Sequence, residues 1–288
     1  VRFARTSRDE KDGESKRRTP QTRRSSAIES REREERVNGK KRAGAESGER
    51  KPETLDILAF GAHPDDVEIT CGGAMIRCAD QGYRVGVIDF TRGECGTRGT
   101  PEMRLEEAQD SARVMGLAVR ENLGLPDCAV TNDDESRLKV VEVLRRYRPK
   151  TIVIPHWEQR HPDHSATAHT IYHAAFLAGL KRFEADGEPF RPEKVLYAYN
   201  FRSFVPTIVV DITDQFERKL EAVRCYRSQF DPCASEDPPL RWVMDMETML
   251  EAKARHFGSL IGKTYGEPFI IKQVIGIEDI VTMSFRTM

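Results

Sequence analysis

From Thr54 onward, short apolar runs alternate with amphipathic stretches, and this alternation limits the possible folds more than any other feature of the chain. TLDILAFGA (54–62) reads as a buried first strand. The stretch from Asp66 to Gly82 reads as the helix after it, with Ile69, Gly73, Ile76, Cys78 and Ala79 approximating one face. A second strand follows at Tyr83 to Thr91. Then comes a Gly- and Arg-rich loop, RGECGTRGT, and a helix with Pro101 in its first turn that ends at Gly116. Val119 to Leu125 is a weaker third strand, and Ser136 to Pro149 an amphipathic helix stopped by proline. A fourth strand, Thr151 to His156, precedes a helix running from Pro162 to Gly179 or Gly187. Further strands are expected at 194–200 and 207–213, and further helices at 214–229 and 241–260.

Strand then helix, four times over, predicts an α/β chain: a Rossmann-like, doubly wound, mainly parallel sheet with helices on both faces. No internal repeat or coiled-coil heptad competes with this reading. In such a sheet, ligands sit outside the carboxyl ends of the strands where the strand order reverses. For the order 3-2-1-4-5 that crevice lies between strands one and four. Chemistry should therefore cluster just after those two strands.

Residues 1–53 have a different texture, with 17 Lys+Arg against 11 Asp+Glu, a net charge of +6, whereas residues 54–288 carry −7. Only 8 of those 53 residues are apolar or aromatic, too few to offset chain entropy by burial, so a disordered charged tail is expected ahead of one folded domain at 54–288. Its basic pairs at Arg17–Arg18 and Arg23–Arg24 could touch nucleic acid. The interspersed acids screen that field and no aromatic residue interleaves to stack on bases, so a nucleic-acid partner is disfavoured. No run approaches the roughly 18 to 20 apolar residues that a membrane span needs, and the first residues lack the apolar core of a secretory signal. Six cysteines without a CxxC pair argue against a disulfide scaffold and for a reducing, cytoplasmic setting.

Directly after strand one stands AHPDDVE, with His63, Asp65, Asp66 and Glu68. Directly after strand four stands HWEQRHPDHS, with His156, His161, Asp163 and His164. Imidazole and carboxylate together suit zinc, three protein ligands leaving a fourth position open, and ferrous iron accepts the same donors. Taken singly, an Asp-Asp pair at a helix start is as well explained by the helix dipole, and an HxxH by partly buried histidines. Their convergence on the expected crevice favours a metal site. His169 and His173 read as helix-face residues, His156 as close enough to strand four to line a pocket, and His256 as structural. The glycines near strand one do not form GxGxxG, which disfavours a nicotinamide enzyme.

AHPDDVE and HPDH, together with TRGECGTRGTPEMRLEEA, RENLGLPD, FVPTIVVDIT and KLEAVRCYRSQF, resemble the LmbE/PIG-L superfamily of zinc-dependent N-acetylglucosaminyl deacetylases. Within it they look like the branch that deacetylates N-acetylglucosaminyl malate in bacillithiol biosynthesis. The resemblance runs from about Leu55 to Ile280. It implies that His63, Asp66 and His164 are metal ligands and Asp65 the general base. It implies also that His161, in protonated form, stabilises the oxyanion, with Asp163 placed to orient an imidazole.

The expected reaction is amide hydrolysis by a metal-activated water, since zinc lowers the pKa of water from 15.7 to about 7. The expected ligand is a small N-acetylated sugar conjugate. The resemblance places Arg104 and Asp127 against the substrate, and Arg98, in the loop after strand two, offers a guanidinium suited to a carboxylate. The same metal chemistry would serve a chitooligosaccharide or an inositol-linked sugar. Similar proteins assemble into trimers or hexamers, so a homo-oligomer is expected.

Overall fold

A computed structural model describes residues 54–198, 205–233 and 246–282. The expectation for residues 1–53 lies outside these, as do the ends of two expected elements, 199–200 and 241–245. Strands β1 (Ile57–Gly61), β2 (Val85–Thr91), β3 (Val119–Leu125), β4 (Thr151–Ile154) and β5 (Lys194–Ala198) pair in parallel. With β6 (Ile208–Asp211) and β7 (Gly266–Ile270) they make one sheet in the order β3-β2-β1-β4-β5-β7-β6, in which, among the described strands, β7 is antiparallel to both of its neighbours, β5 and β6. The order reverses between β1 and β4, as the alternation predicted.

The helices are α1 (Asp66–Asp80), α2 (Pro101–Met115), α3 (Asp134–Tyr147), α4 (Pro162–Ala178), α5 (Phe216–Arg224), the single turn α6 (Arg227–Phe230) and α7 (Met246–Ser259). Every residue of β1 and β2 is buried, because helices cover both faces and a strand covered twice has no polar side. Alternate residues of β1 enter different cores. Ile57 and Ala59 pack with Val67, Met75, Phe216, Val223 and Leu250 from α1, α5 and α7, whereas Leu58 and Phe60 pack with Val140, Leu144, Ile171 and Ala174 from α3 and α4.

Capping sets several helix starts. The Thr100 side chain accepts from the Met103 amide with Pro101 in the first turn, and Asp133 accepts from the Ser136 amide at 2.8 Å. The helix expected over 214–229 is divided instead: a 3₁₀ turn at Thr213–Gln215, then α5, then α6. The break at Tyr226 delivers that side chain into the core, where its hydroxyl donates to Glu68 Oε1 at 2.8 Å. Among the described residues, no helix is long and apolar enough to cross a membrane.

Candidate metal centre and active site

The turn leaving β1 is shaped by its own side chains. Asp66 opens α1, and its Oδ2 accepts from the amides of Ala62 at 3.0 Å and His63 at 2.8 Å. Asp65 takes the left-handed backbone region with φ 111°, a conformation that costs a non-glycine residue roughly 1–3 kcal/mol and persists only where its surroundings fix it. Arg104 of α2 does that fixing. Its Nη2 donates to Pro64 O at 2.6 Å and to Asp65 Oδ2 at 3.1 Å, and its Nη1 donates to Gly93 O at 3.3 Å. A Cβ at Gly93 would fall 1.9 Å from Arg104 Nη1, so only glycine lets the guanidinium reach the turn.

The second cluster is presented by the start of α4. His161 caps the helix, its Nδ1 accepting from the Asp163 amide at 3.3 Å, and Pro162 fixes the first turn. His164 then reaches across the β1/β4 crevice. Its Nε2 lies 3.2 Å from His63 Nδ1 and 3.2 Å from Asp66 Oδ1, and His63 Nδ1 lies 3.4 Å from Asp66 Oδ2. These three donor atoms all fall within 4.8 Å of one another. Two imidazole nitrogens and one carboxylate turned toward a common point fit a divalent cation. The rear of the site agrees with that fit: His63 Nε2 donates to Asp127 Oδ1 at 3.0 Å with Asp163 Oδ2 3.5 Å away, so a cation replacing the proton on Nδ1 would meet a ring already fixed by its other nitrogen.

The field of the pocket is strongly structured. Burial opposes charge on His63, yet hydrogen bonds to Asp127, Asp163 and Asp66 push its imidazole up to about 12, so the carboxylates around this ring call for a positive charge. Burial would also raise Asp66, but His164 and His63 hold its carboxyl well below the usual range. Burial pushes Asp65 up to about 7 against the pull of Arg104, with the Asp66 charge adding to the rise. His161 is pushed down by burial and then by His63 and His164.

A cavity of about 360 Å³ opens over these groups, lined by His63, Asp65, Asp66, His161 and His164 together with Arg98, Arg104, Asp127 and Arg160. Arg98 donates from Nη1 to Gln229 O at 3.0 Å and from Nη2 to Asp231 O at 2.5 Å, tying the loop after β2 to the end of α6. Asp127, besides holding His63, accepts from the amides of Cys95 and Cys128, both at 2.8 Å. Asp163 accepts from the Cys128 amide at 2.7 Å and faces His63, so the imidazole it helps orient is that one. His156 differs from expectation: it stacks on Trp157 with ring centroids 3.8 Å apart and is not part of the cavity wall.

Sequence reasoning also passed over a buried network at the first turn of α1. Glu68 Oε1 accepts from Ser111 Oγ at 2.6 Å, from Tyr226 and from Arg120, and Arg120 grips both oxygens of Asp89 at 3.0 Å each. The available signal was an acid, Asp89, inside an otherwise apolar strand, since a charge so placed must be paired.

A doubly wound sheet with a His-Asp-His donor set and a partly buried acid at its switch point defines a class of metal-site α/β enzymes, and comparison with known proteins gives the particular family. A sequence model of PIG-L, described as GlcNAc-PI de-N-acetylase, matches residues 58–175. Diacetylchitobiose deacetylase of Thermococcus kodakarensis is 31% identical over 226 residues, spanning 73% of this chain and 80% of that protein. A probable N-acetyl-alpha-D-glucosaminyl L-malate deacetylase 2 of Bacillus cereus is 27% identical over 188 residues, 60% of this chain and 83% of that one. Among solved structures, a conserved protein of Thermus thermophilus superposes with a TM-score of 0.71 at 37% identity, covering 78% of this chain and 98% of the other. The chain belongs to the PIG-L/LmbE family.

Proposed function

We propose that this protein is a metal-dependent deacetylase of small N-acetylglucosamine-containing molecules, and that its substrate is N-acetylglucosaminyl malate, cleaved to acetate and glucosaminyl malate. The observation that carries the reading is the partly buried Asp65, held by Arg104 beside the converged donors of His63, Asp66 and His164. Zinc or ferrous iron held by those three side chains would supply Lewis-acid polarisation of the amide carbonyl and a water acidic enough to attack at neutral pH.

The remaining work falls to the chain. Arg104 holds Asp65 Oδ2, which leaves Oδ1 to take the proton of the attacking water and return it to the departing amine. His161 Nδ1 accepts from the Asp163 amide, so the neutral ring carries its proton on Nε2, a donor for the oxygen on which charge develops. Asp127 and Asp163 keep His63 in the tautomer that faces the donor set. Arg98 and Arg160 place positive charge in the cavity wall, which favours an anionic conjugate such as malate, although both Nη groups of Arg98 are engaged by Gln229 O and Asp231 O and its role is to hold the loop.

The similarity to a diacetylchitobiose deacetylase favours a second reading, in which the acetylated sugar is carried on another sugar rather than on malate. Acetate release by the zinc-loaded protein, compared for N-acetylglucosaminyl malate, diacetylchitobiose and free N-acetylglucosamine, separates the two. Preference for the malate conjugate is expected. Preference for diacetylchitobiose would move the substrate, and no release from any of the three with metal bound would overturn the reaction.

A further inference from the structure

Two thiols stand at the rim of the cavity and take no part in the proposed hydrolysis. Cys95 belongs to the loop between β2 and α2, Cys128 to the loop between β3 and α3, and both are exposed. Asp127 gathers them: its Oδ2 accepts from the Cys95 amide, its Oδ1 from the Cys128 amide, and Cys95 Sγ donates to Asp127 O at 3.4 Å. Cys128 is held in the left-handed region with φ 60°, its amide also donating to Asp163. As a result the two sulfurs and an Asp127 carboxylate oxygen lie within 4.8 Å of one another. Around a tetrahedral ion with metal–sulfur bonds of about 2.3 Å and metal–oxygen bonds of about 2.0 Å, sulfurs sit about 3.8 Å apart and sulfur and oxygen about 3.5 Å apart. Small side-chain rotations cover that difference.

We propose that Cys95, Cys128 and Asp127 form a second cation site, selective for a thiophilic divalent ion such as zinc or cadmium. Its two sulfurs and one oxygen make it softer than the nitrogen–oxygen set of His63, Asp66 and His164, and ligand softness discriminates between the two sites. Each ion bound displaces two thiol protons to the solvent and leaves both cysteines as thiolates. The sites are coupled because Asp127 also orients His63, so filling the thiol site draws on the carboxylate behind a ligand of the first. On the deacetylase reading, the second ion therefore inhibits.

Cadmium titration of the whole, zinc-loaded chain, kept reduced with a phosphine, tests this through the ultraviolet thiolate-to-cadmium charge-transfer band. The His-Asp-His set contains no sulfur and contributes nothing to that band. The expected result is a band saturating at one cadmium per chain, lost in C95S and in C128S and retained in C233S, an exposed cysteine elsewhere. Circular dichroism and zinc content of each variant establish that it is folded and loaded. No band in the parent protein, or one that survives the double change C95S/C128S, overturns the site. In the activity arm, acetate release falls as the band grows in the parent, whereas the double variant keeps its own cadmium-free rate. An equal fall in both overturns the coupling through Asp127. Absence of acetate release throughout would count against the deacetylase reading alone, since the band reports binding independently of turnover.

Discussion

At the scale of single residues, Asp65 and Asp127 are two carboxylates of one pocket with separable duties, and substitution to asparagine distinguishes them. Asn tolerates the left-handed backbone of position 65 nearly as well as Asp, so Asp65→Asn removes the proton acceptor without disturbing the turn. We expect kcat for acetate release to fall by about 10²- to 10⁴-fold with zinc content unchanged. A variant that keeps its rate would remove Asp65 from the mechanism. Asp127→Asn leaves the donor atoms in place but weakens the hold on His63 Nε2, and zinc affinity, read by competition with a chromophoric chelator, should drop about 10- to 100-fold. Unchanged affinity would show that Asp163 alone suffices to orient the ring. The convergence of His63, Asp66 and His164 was legible in the sequence because two compact motifs fell after the two strands that flank the switch point. The Asp127–His63 contact was not, because it joins residues 64 apart and the resemblance places Asp127 against the substrate rather than behind a histidine.

At the scale of elements, the first turn of α1, which carries Asp66, is set off from the rest of the helix by a kink. The helix breaks at Cys71, with φ −147° and ψ 15°, which strips two amides of their helical partners. Glu267 of β7 supplies replacements, accepting from Gly73 N at 3.0 Å and Ala74 N at 2.6 Å, and Lys219 of α5 pairs with Glu267 and donates to Ile69 O at 3.0 Å. Both side chains of this pair are almost fully buried. Glu267→Ala leaves a buried lysine without its counter-charge and two amides without their acceptor, and urea unfolding should show a loss of about 3–5 kcal/mol. A loss under about 1 kcal/mol would mean that water or a neighbouring group replaces the carboxylate. Strand β7 itself escaped the sequence reading for the same reason that it matters. GEPFI carries a charge and a proline where an apolar run would be sought, and Pro268 is tolerated one residue beyond the described pairing with β5. By contrast, β1, β2 and β4 were legible as apolar runs because both their faces are covered. The break between α5 and α6 was not, since burying Tyr226 against Glu68 is a tertiary demand that no local pattern shows.

At the scale of the whole molecule, the donor set joins two halves of the sheet, with His63 and Asp66 following β1 and His164 following β4 on the other side of the reversal. A cation there binds the folded chain and not the unfolded one, so its binding energy adds to stability. At a free concentration about a thousand times its dissociation constant the contribution is about 4.1 kcal/mol. For a domain of this size each kcal/mol moves Tm by roughly 2–4 °C, which sets the expected loss on chelation at roughly 8–16 °C. Scanning calorimetry before and after exhaustive chelation, and again after zinc is restored, measures it. His63→Ala should melt near the metal-free temperature and respond to neither step. Residues 1–53, with their net charge of +6 and few apolar side chains, are expected to add nothing to this linkage, so a chain beginning at Thr54 should show the same zinc-dependent shift. A shift that vanishes on removing the tail would make those residues part of the metal centre. A parent protein whose Tm ignores chelation would mean that the His-Asp-His set holds its protons rather than a metal.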